Sequence, residues 1–500
     1  MPLILGSARD FLWSFIASIF LAAFALFMLN SNLWTGKREA KNGGKPGAPA
    51  KRFPWSLPPL FLPASITSSP CPRVGIYLLV AIIAYPFLQA IPLPLPFVSI
   101  LSPQRAQWLH RSTEATGISH WWASLSYLPL DTFMHGLWIL TLALFAMVLH
   151  HSIRNGTIHA SRFLAVLFLV AGLEALYGIM QFLAPSLGLG FSEGATGTFA
   201  SPDHYAAFLG MIWPLQLVWL LRPGGMNTID RVQGERPEAG GPGSRNASSS
   251  RREKQLFFIF LTGLVLLGLI LSRSRGGIIS LLISTSVLAY FGGKRFRPII
   301  AVLIACWAII LVYGSIIGFE GVVRRFVEIQ RDAPARLKIW QYTSRLIWDH
   351  WLTGTGAGTY SPVIFLYQIF DTDLIQVGHA HSDYLEVASE WGLPFGLLIF
   401  ILVWGYWLLT AVRLAEGSNP GTKKRGDTEI RSLGKGRHIP ERRPPETAGK
   451  LIRIGALAGS AAFLCHMFVE FNWQIPVNQL YFVILLVLMT DLSNSTESSQ

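Results

Sequence analysis

The chain has 500 residues, of which 51% are hydrophobic and 14% charged, and a formal net charge of +13. Soluble domains carry about a quarter charged residues, so this deficit excludes an ordinary water-soluble enzyme and points to the bilayer. The positive balance does not indicate nucleic-acid binding, because Lys and Arg cluster between apolar runs instead of lining one face.

The first apolar run, 10–30, follows Arg9-Asp10 and lacks a small-residue cleavage site. It reads as a retained helix, not a signal peptide. Further apolar runs predict helices at 74–92, 132–150, 163–183, 204–221, 255–272, 277–292, 298–317, 393–412, 451–470 and 477–491. Stretches such as FLAVLFLVAGLEALYGIMQFL match the bilayer's thickness. A backbone crossing lipid must satisfy its own hydrogen bonds, so the runs are helical. The reading is an all-α polytopic membrane protein of about 11–12 transmembrane helices, one integral membrane domain over 1–500.

The segments 31–73, 222–254 and 413–450 are basic and rich in Gly, Pro and Ser, as flexible cytoplasmic loops are. Threading the helices from these anchors leaves 93–131 and the long loop 318–392 outside, along with the SRSR turn at 272–275. No internal repeat suggests an inverted-repeat transporter. Three cysteines provide no disulfide framework; Cys306 and Cys465 lie in apolar runs and read as packing residues, and Cys71 sits in a loop.

Several polar groups stand out in chain order. Glu174, His466 and Glu470 lie in or near spans, where an ionisable group suggests function. Asp203 and His204, in GTFASPDHYAAFLGM, fall at the outer end of a helix, and an N-cap accounts for Asp203. Arg273 and Arg275 fill a turn before Gly276-Gly277. They suit either headgroup snorkelling or diphosphate recognition, with the glycines admitting a ligand closely. RLKIWQYTSRLIWDH spaces Arg336, Trp340, Ile347 and Trp348 as an amphipathic helix lying on the outer leaflet. Arg324, Arg325 and Arg331 make this outer loop unusually basic, which an anionic ligand would explain. GTGAGTY fits neither nucleotide-binding fingerprint and reads as a flexible turn, with phosphate cradling the lesser alternative.

In GHAHSDYLEVASEWG, His379 and His381 are two apart, poor spacing for one helical face, and no Cys or third His lies nearby in sequence, so a zinc site is the lesser alternative. Ser382 reads as an N-cap, with Asp383 and Glu386 favourable to the helix dipole. A neutral imidazole at the membrane surface suits proton acceptance from a hydroxyl near pH 7. Glu386 and Glu390, one turn apart, are placed to orient or balance it.

The pieces SRSRGG, ARLKIW…GTGAGTY and HAHSDYLEVASEWGLPFG, in this order around a long outer loop, resemble the O-antigen ligase and polymerase superfamily over roughly 195–410. The resemblance implies a GT-C-like helical bundle in the bacterial inner membrane, with a long periplasmic loop between late helices. It implies transfer of a glycan from an undecaprenyl-diphosphate carrier to an acceptor hydroxyl at the periplasmic face, without cofactor or metal. The acceptor would be a glycolipid, a glycan (as for a polymerase) or a protein (as for a protein O-oligosaccharyltransferase). By family pattern Arg275 and Arg336, with Arg273, would hold the diphosphate, and His381 would be the base, with His379 in reserve. Asp203, His204, Glu386 and Glu390 are secondary candidates. The sequence departs from the family in Ser382, where Asn is usual, and in Ser201-Pro202-Asp203, where an Asn-Pro-Asn-like element is usual. A solute transporter is the alternative of another class, but it would set paired charges near the midplane. Here they gather at one face. Expected partners are the lipid-linked glycan, its acceptor and membrane lipids, with no nucleic acid.

Overall fold

The structure, a computed structural model, describes residues 71–184, 194–221, 244–293, 301, 329–368, 378–416 and 446–490. The spans expected at 10–30 and, apart from residue 301, at 298–317 lie outside the described residues. So do most of the three basic loops, Cys306, Arg324 and Arg325, and nothing is described of the side chains of Cys71 and Arg331. Each of the other predicted spans falls on a helix.

The protein is an all-α polytopic membrane protein. Five described helices are long and apolar enough to cross a bilayer: Pro129–Arg154, Ala160–Leu183, Pro202–Leu221, Arg275–Gly292 and Asp383–Glu416. The chain divides into two compact units, Met1–Thr157 with Ala335–Phe400, and Ile158–Pro334 with Ile401–Gln500.

In the first unit α1 (Cys71–Ala90) packs on α4 (Pro129–Arg154), where Gly136 leaves room for Phe87. Between them the chain forms a small cap. Strand β1 (Pro92–Pro94) pairs antiparallel with β2 (Trp122–Ser124), and the short helices α2 (Leu95–Leu101) and α3 (Pro103–Thr116) lie between the strands. Pro103 sits in the first turn of α3, where its missing N–H costs nothing, and left-handed Gly117 ends the helix. Val98, Leu109, Ala123 and Leu125 close a core under the cap. Helix α9 (Ile329–Asp349) is amphipathic as expected, with Ile347 buried and Trp348 exposed. The neighbouring Leu346 packs with Tyr360, Val363 and Ile364 of α10 (Tyr360–Gln368).

Helix α11 (Asp383–Glu416) is two helices joined at Gly392, whose φ of 73° and ψ of 161° break the hydrogen-bond ladder. An L-residue with a side chain resists that conformation, which accounts for glycine at the break. Gly354 stands back to back with it: a Cβ on either glycine would strike the backbone of the other segment. The GTGAGTY loop is therefore pressed against the broken helix. Thr355 N–H donates to Ser389 O at 3.0 Å, Gly356 N–H to Glu390 O at 3.1 Å, and Leu393 N–H to Trp351 O at 2.7 Å.

The second unit is built around α6 (Pro202–Leu221), which is apolar on all sides and buried along nearly its whole length. Around it stand α5 (Ala160–Leu183), α7 (Ser244–Leu271), α8 (Arg275–Gly292), α12 (Glu446–His466) and α13 (Pro476–Met489). Helix α12 makes the closest approach. Its Gly455 and Gly459, four apart, abut the backbone of α6 at Leu215 and Met211, a small-xxx-small contact of the kind that packs helices in lipid.

Candidate functional site

The predicted residues fall into two groups, one in each unit. In the first unit, segment 378–382 approaches the start of α11, and the Ser382 carbonyl accepts the Glu386 N–H at 3.1 Å. Glu386 is 1% exposed and turns back toward the preceding segment. Its Oε1 accepts the Ala380 amide at 2.8 Å and lies 3.1 Å from His379 Nδ1. A carboxylate can only accept, so Nδ1 carries the shared proton and Nε2 is left as the basic atom. The dipole role expected of Glu386 is thus joined by a second: orienting an imidazole that is about one-third exposed.

Glu390, one turn on, is buried as well and accepts the Tyr360 amide at 2.9 Å and the Gly358 amide. Trp340 donates its indole N–H to Ala380 O at 2.9 Å. That bond fixes the residue between the two histidines. Arg336, half-buried, lies one helical turn before Trp340 on α9, so it occupies the same helix face.

Among the described residues, two non-glycine residues have positive φ: His381 at 49° and Arg273 at 55°. Both belong to the candidate set. The left-handed region costs a residue with a side chain on the order of 1–3 kcal/mol, and such strain gathers at functional sites.

In the second unit, Arg273 occupies the turn between α7 and α8, exposed, with its guanidinium 4.9 Å from the Phe182 ring centroid. Ser274 is the N-cap of α8, accepting from Gly277 N–H at 2.9 Å, and Arg275 is the first helical residue. Asp203 is not the cap of α6. That place belongs to Ser201, whose Oγ accepts the Asp203 N–H at 3.2 Å. The Asp203 carboxylate, being in the first turn, is free to reach across and accept from Ser274 Oγ at 2.5 Å, tying α6 to the arginine turn. His204 is buried, 3.1 Å from Asn472 Oδ1 and edge-on to Phe471, and its surroundings are those of a packing residue. Gly276 and Gly277 do admit a close approach, but of protein: a Cβ there would strike the His466 ring and Ala206.

Sequence reasoning missed Trp340, Tyr360 and Ser274 as partners of the site. The helical spacing of Trp340 from Arg336 was visible; the bond to Ala380 depends on a chain reversal that no spacing encodes.

A family model described as O-antigen ligase matches residues 259–401. The matched segment takes in Arg273, Arg275, Arg336, His379, His381, Glu386 and Glu390, and leaves out Asp203 and His204. No curated protein matches the chain.

Proposed function

Through residues 259–401 the chain belongs to the O-antigen ligase superfamily, and from that premise we propose that it transfers a glycan from undecaprenyl diphosphate to an acceptor hydroxyl at the periplasmic face. The observation that carries the reading is the His379–Glu386 pair, 3.1 Å apart, beside the strained His381. The acceptor oxygen attacks the anomeric carbon while its proton passes to His379 Nε2. The bond from that carbon to the diphosphate breaks, and its electron pair leaves on the phosphate oxygen. Glu386 holds the imidazole in the tautomer that accepts at Nε2 and stabilises the imidazolium that forms.

The resemblance favours His381 as base; the pairing favours His379, with His381 positioning the acceptor. Arg275, Arg273 and Arg336 are the candidates for the diphosphate. A guanidinium offers permanent charge and paired donors to a leaving phosphate without proton exchange, and Arg275 adds its charge at the positive end of a helix. These residues need no resident metal for the steps described.

The test uses purified protein in nanodiscs with an undecaprenyl-diphosphate glycan and three acceptors: lipid A-core, a carrier-linked repeat and a polypeptide. Product on one acceptor identifies ligase, polymerase or protein transferase respectively. His379→Ala is expected to lower turnover by about 10²-fold or more, the usual worth of a general base. Glu386→Gln should cost less, and Arg275→Ala and Arg336→Ala should each slow carrier release. Wild-type rates in all four variants sink the reading.

A further inference from the structure

The first unit has an open cleft of about 280 Å³ whose lining includes Gln104 and Gln107 on one wall and Trp348, Asp349, His350 and Trp351 on the other. None of these residues takes part in the chemistry above. Trp348 and Trp351 are 70% and 51% exposed. The floor is rigid. His350 is 2% exposed, with Nδ1 at 3.4 Å from Ser102 Oγ and Nε2 at 3.3 Å from Tyr127 OH. Tyr127 is in turn covered by the Arg105 guanidinium at 4.4 Å.

Asp349 receives both its hydrogen bonds on Oδ2, from Tyr367 OH at 2.8 Å and from Gln104 Nε2 at 3.4 Å. Oδ1 therefore has accepting capacity in hand, and each glutamine amide offers both donors and an acceptor. Exposed rings beside planar polar groups fit one chemical class in particular. A pyranose presents an apolar C–H face that stacks on an indole, and a rim of hydroxyls that both donate and accept.

We propose that this cleft is a saccharide-binding subsite that grips a sugar of the glycan substrates away from the bond being formed. The choice of sugar as ligand rests on the glycan-transfer reading; the cleft's geometry does not. Lipid headgroups are the competing occupant of exposed tryptophans, but a carboxylate in the lining repels anionic headgroups.

The cleft is also joined to the candidate site by covalent and hydrogen-bonded structure. Trp351 and Leu352 line it, and the next residues, Thr353 to Gly356, make the bonds to Gln89, Ser389 and Glu390.

Saturation-transfer NMR on the whole protein in nanodiscs tests the proposal, with methyl pyranosides of glucose, galactose, mannose and N-acetylglucosamine as probes. At least one probe is expected to receive saturation, strongest on the protons of one ring face. Trp348→Ala or Trp351→Ala should weaken binding by about fivefold, the scale of one aromatic contact. Gln107→Ala, at an exposed position that folding does not need, should weaken it less. No transfer to any probe overturns the proposal, and so does transfer of wild-type strength in all three variants. Quenching of Trp348 by spin-labelled lipid without pyranoside binding assigns the rings to the bilayer surface and likewise overturns it. Because binding is read without donor lipid, a protein that binds pyranosides but transfers no glycan loses the reaction and keeps the cleft.

Discussion

Two side chains with left-handed backbones, His381 and Arg273, mark places where the described chain bears backbone strain. At each, the neighbour carries the tightest bonding: Ala380 between Glu386 and Trp340, and Ser274 between Asp203 and Gly277. Rigid neighbours are what hold a strained residue in place. His350 shows a different use of burial. Desolvation pushes its imidazole down to about 4, with Asp349 opposing the shift and Arg105 adding to it. The folded state thus takes up this proton less readily than the unfolded chain, whose histidine titrates near 6.5. The stability this contributes is present above pH 6.5 and is lost as pH falls toward 4. Melting temperatures measured between pH 7.5 and 4.5 should fall for the wild type, and fall less steeply for His350→Gln. The histidines and arginines of the candidate site stood out in the sequence because such groups are rare beside apolar runs. The pairing of His379 with Glu386 was not, since it crosses seven residues of which some are loop and some helix.

At the scale of elements, apolar runs of membrane length were enough to locate the helices of the described residues on which they fall, because lipid leaves a backbone no choice but the helix. The cap helices α2 and α3 escaped notice inside the segment read as loop 93–131, although Ser102-Pro103 and Gly117 signal a helix start and stop. The glycine pair of α12 was equally visible as GALAG at 455–459, but its partner α6 lies more than 200 residues away in sequence. This contact makes a sharp prediction. Gly459→Leu forces a side chain into the Met211 backbone and should destabilise the protein by about 2–3 kcal/mol, as overpacking does. Gly405→Ala, where a Cβ meets nothing within 4 Å, should be neutral or slightly stabilising. Thermal unfolding of both variants in the same detergent checks the pair.

Across the whole molecule, the charge pattern predicts an orientation in the membrane, and labelling tests it. In a background with Cys71, Cys306 and Cys465 replaced by Ala, a cysteine at Glu114 should react with an impermeant maleimide from the periplasmic side. One at Ser248, in the basic segment 222–254, should react only after the membrane is opened. Labelling of the reverse pattern would invert the threading and with it the periplasmic placement of the proposed chemistry. Which hydroxyl would accept the glycan in the proposed reaction is the least legible property, because acceptor choice resides in contacts made by surfaces, and surfaces tolerate many sequences.

The turn from Trp351 to Gly356 faces the cleft with its first residues and braces Glu390 with its last. Few positions separate the two duties, so a substitution that shifts the backbone here alters what the protein holds and how well its carboxylate helix is supported in one stroke. The opposite wall, with Gln104 and Gln107 on α3, carries no such double burden. Retuning the protein toward a different sugar therefore belongs on α3, with the turn left untouched.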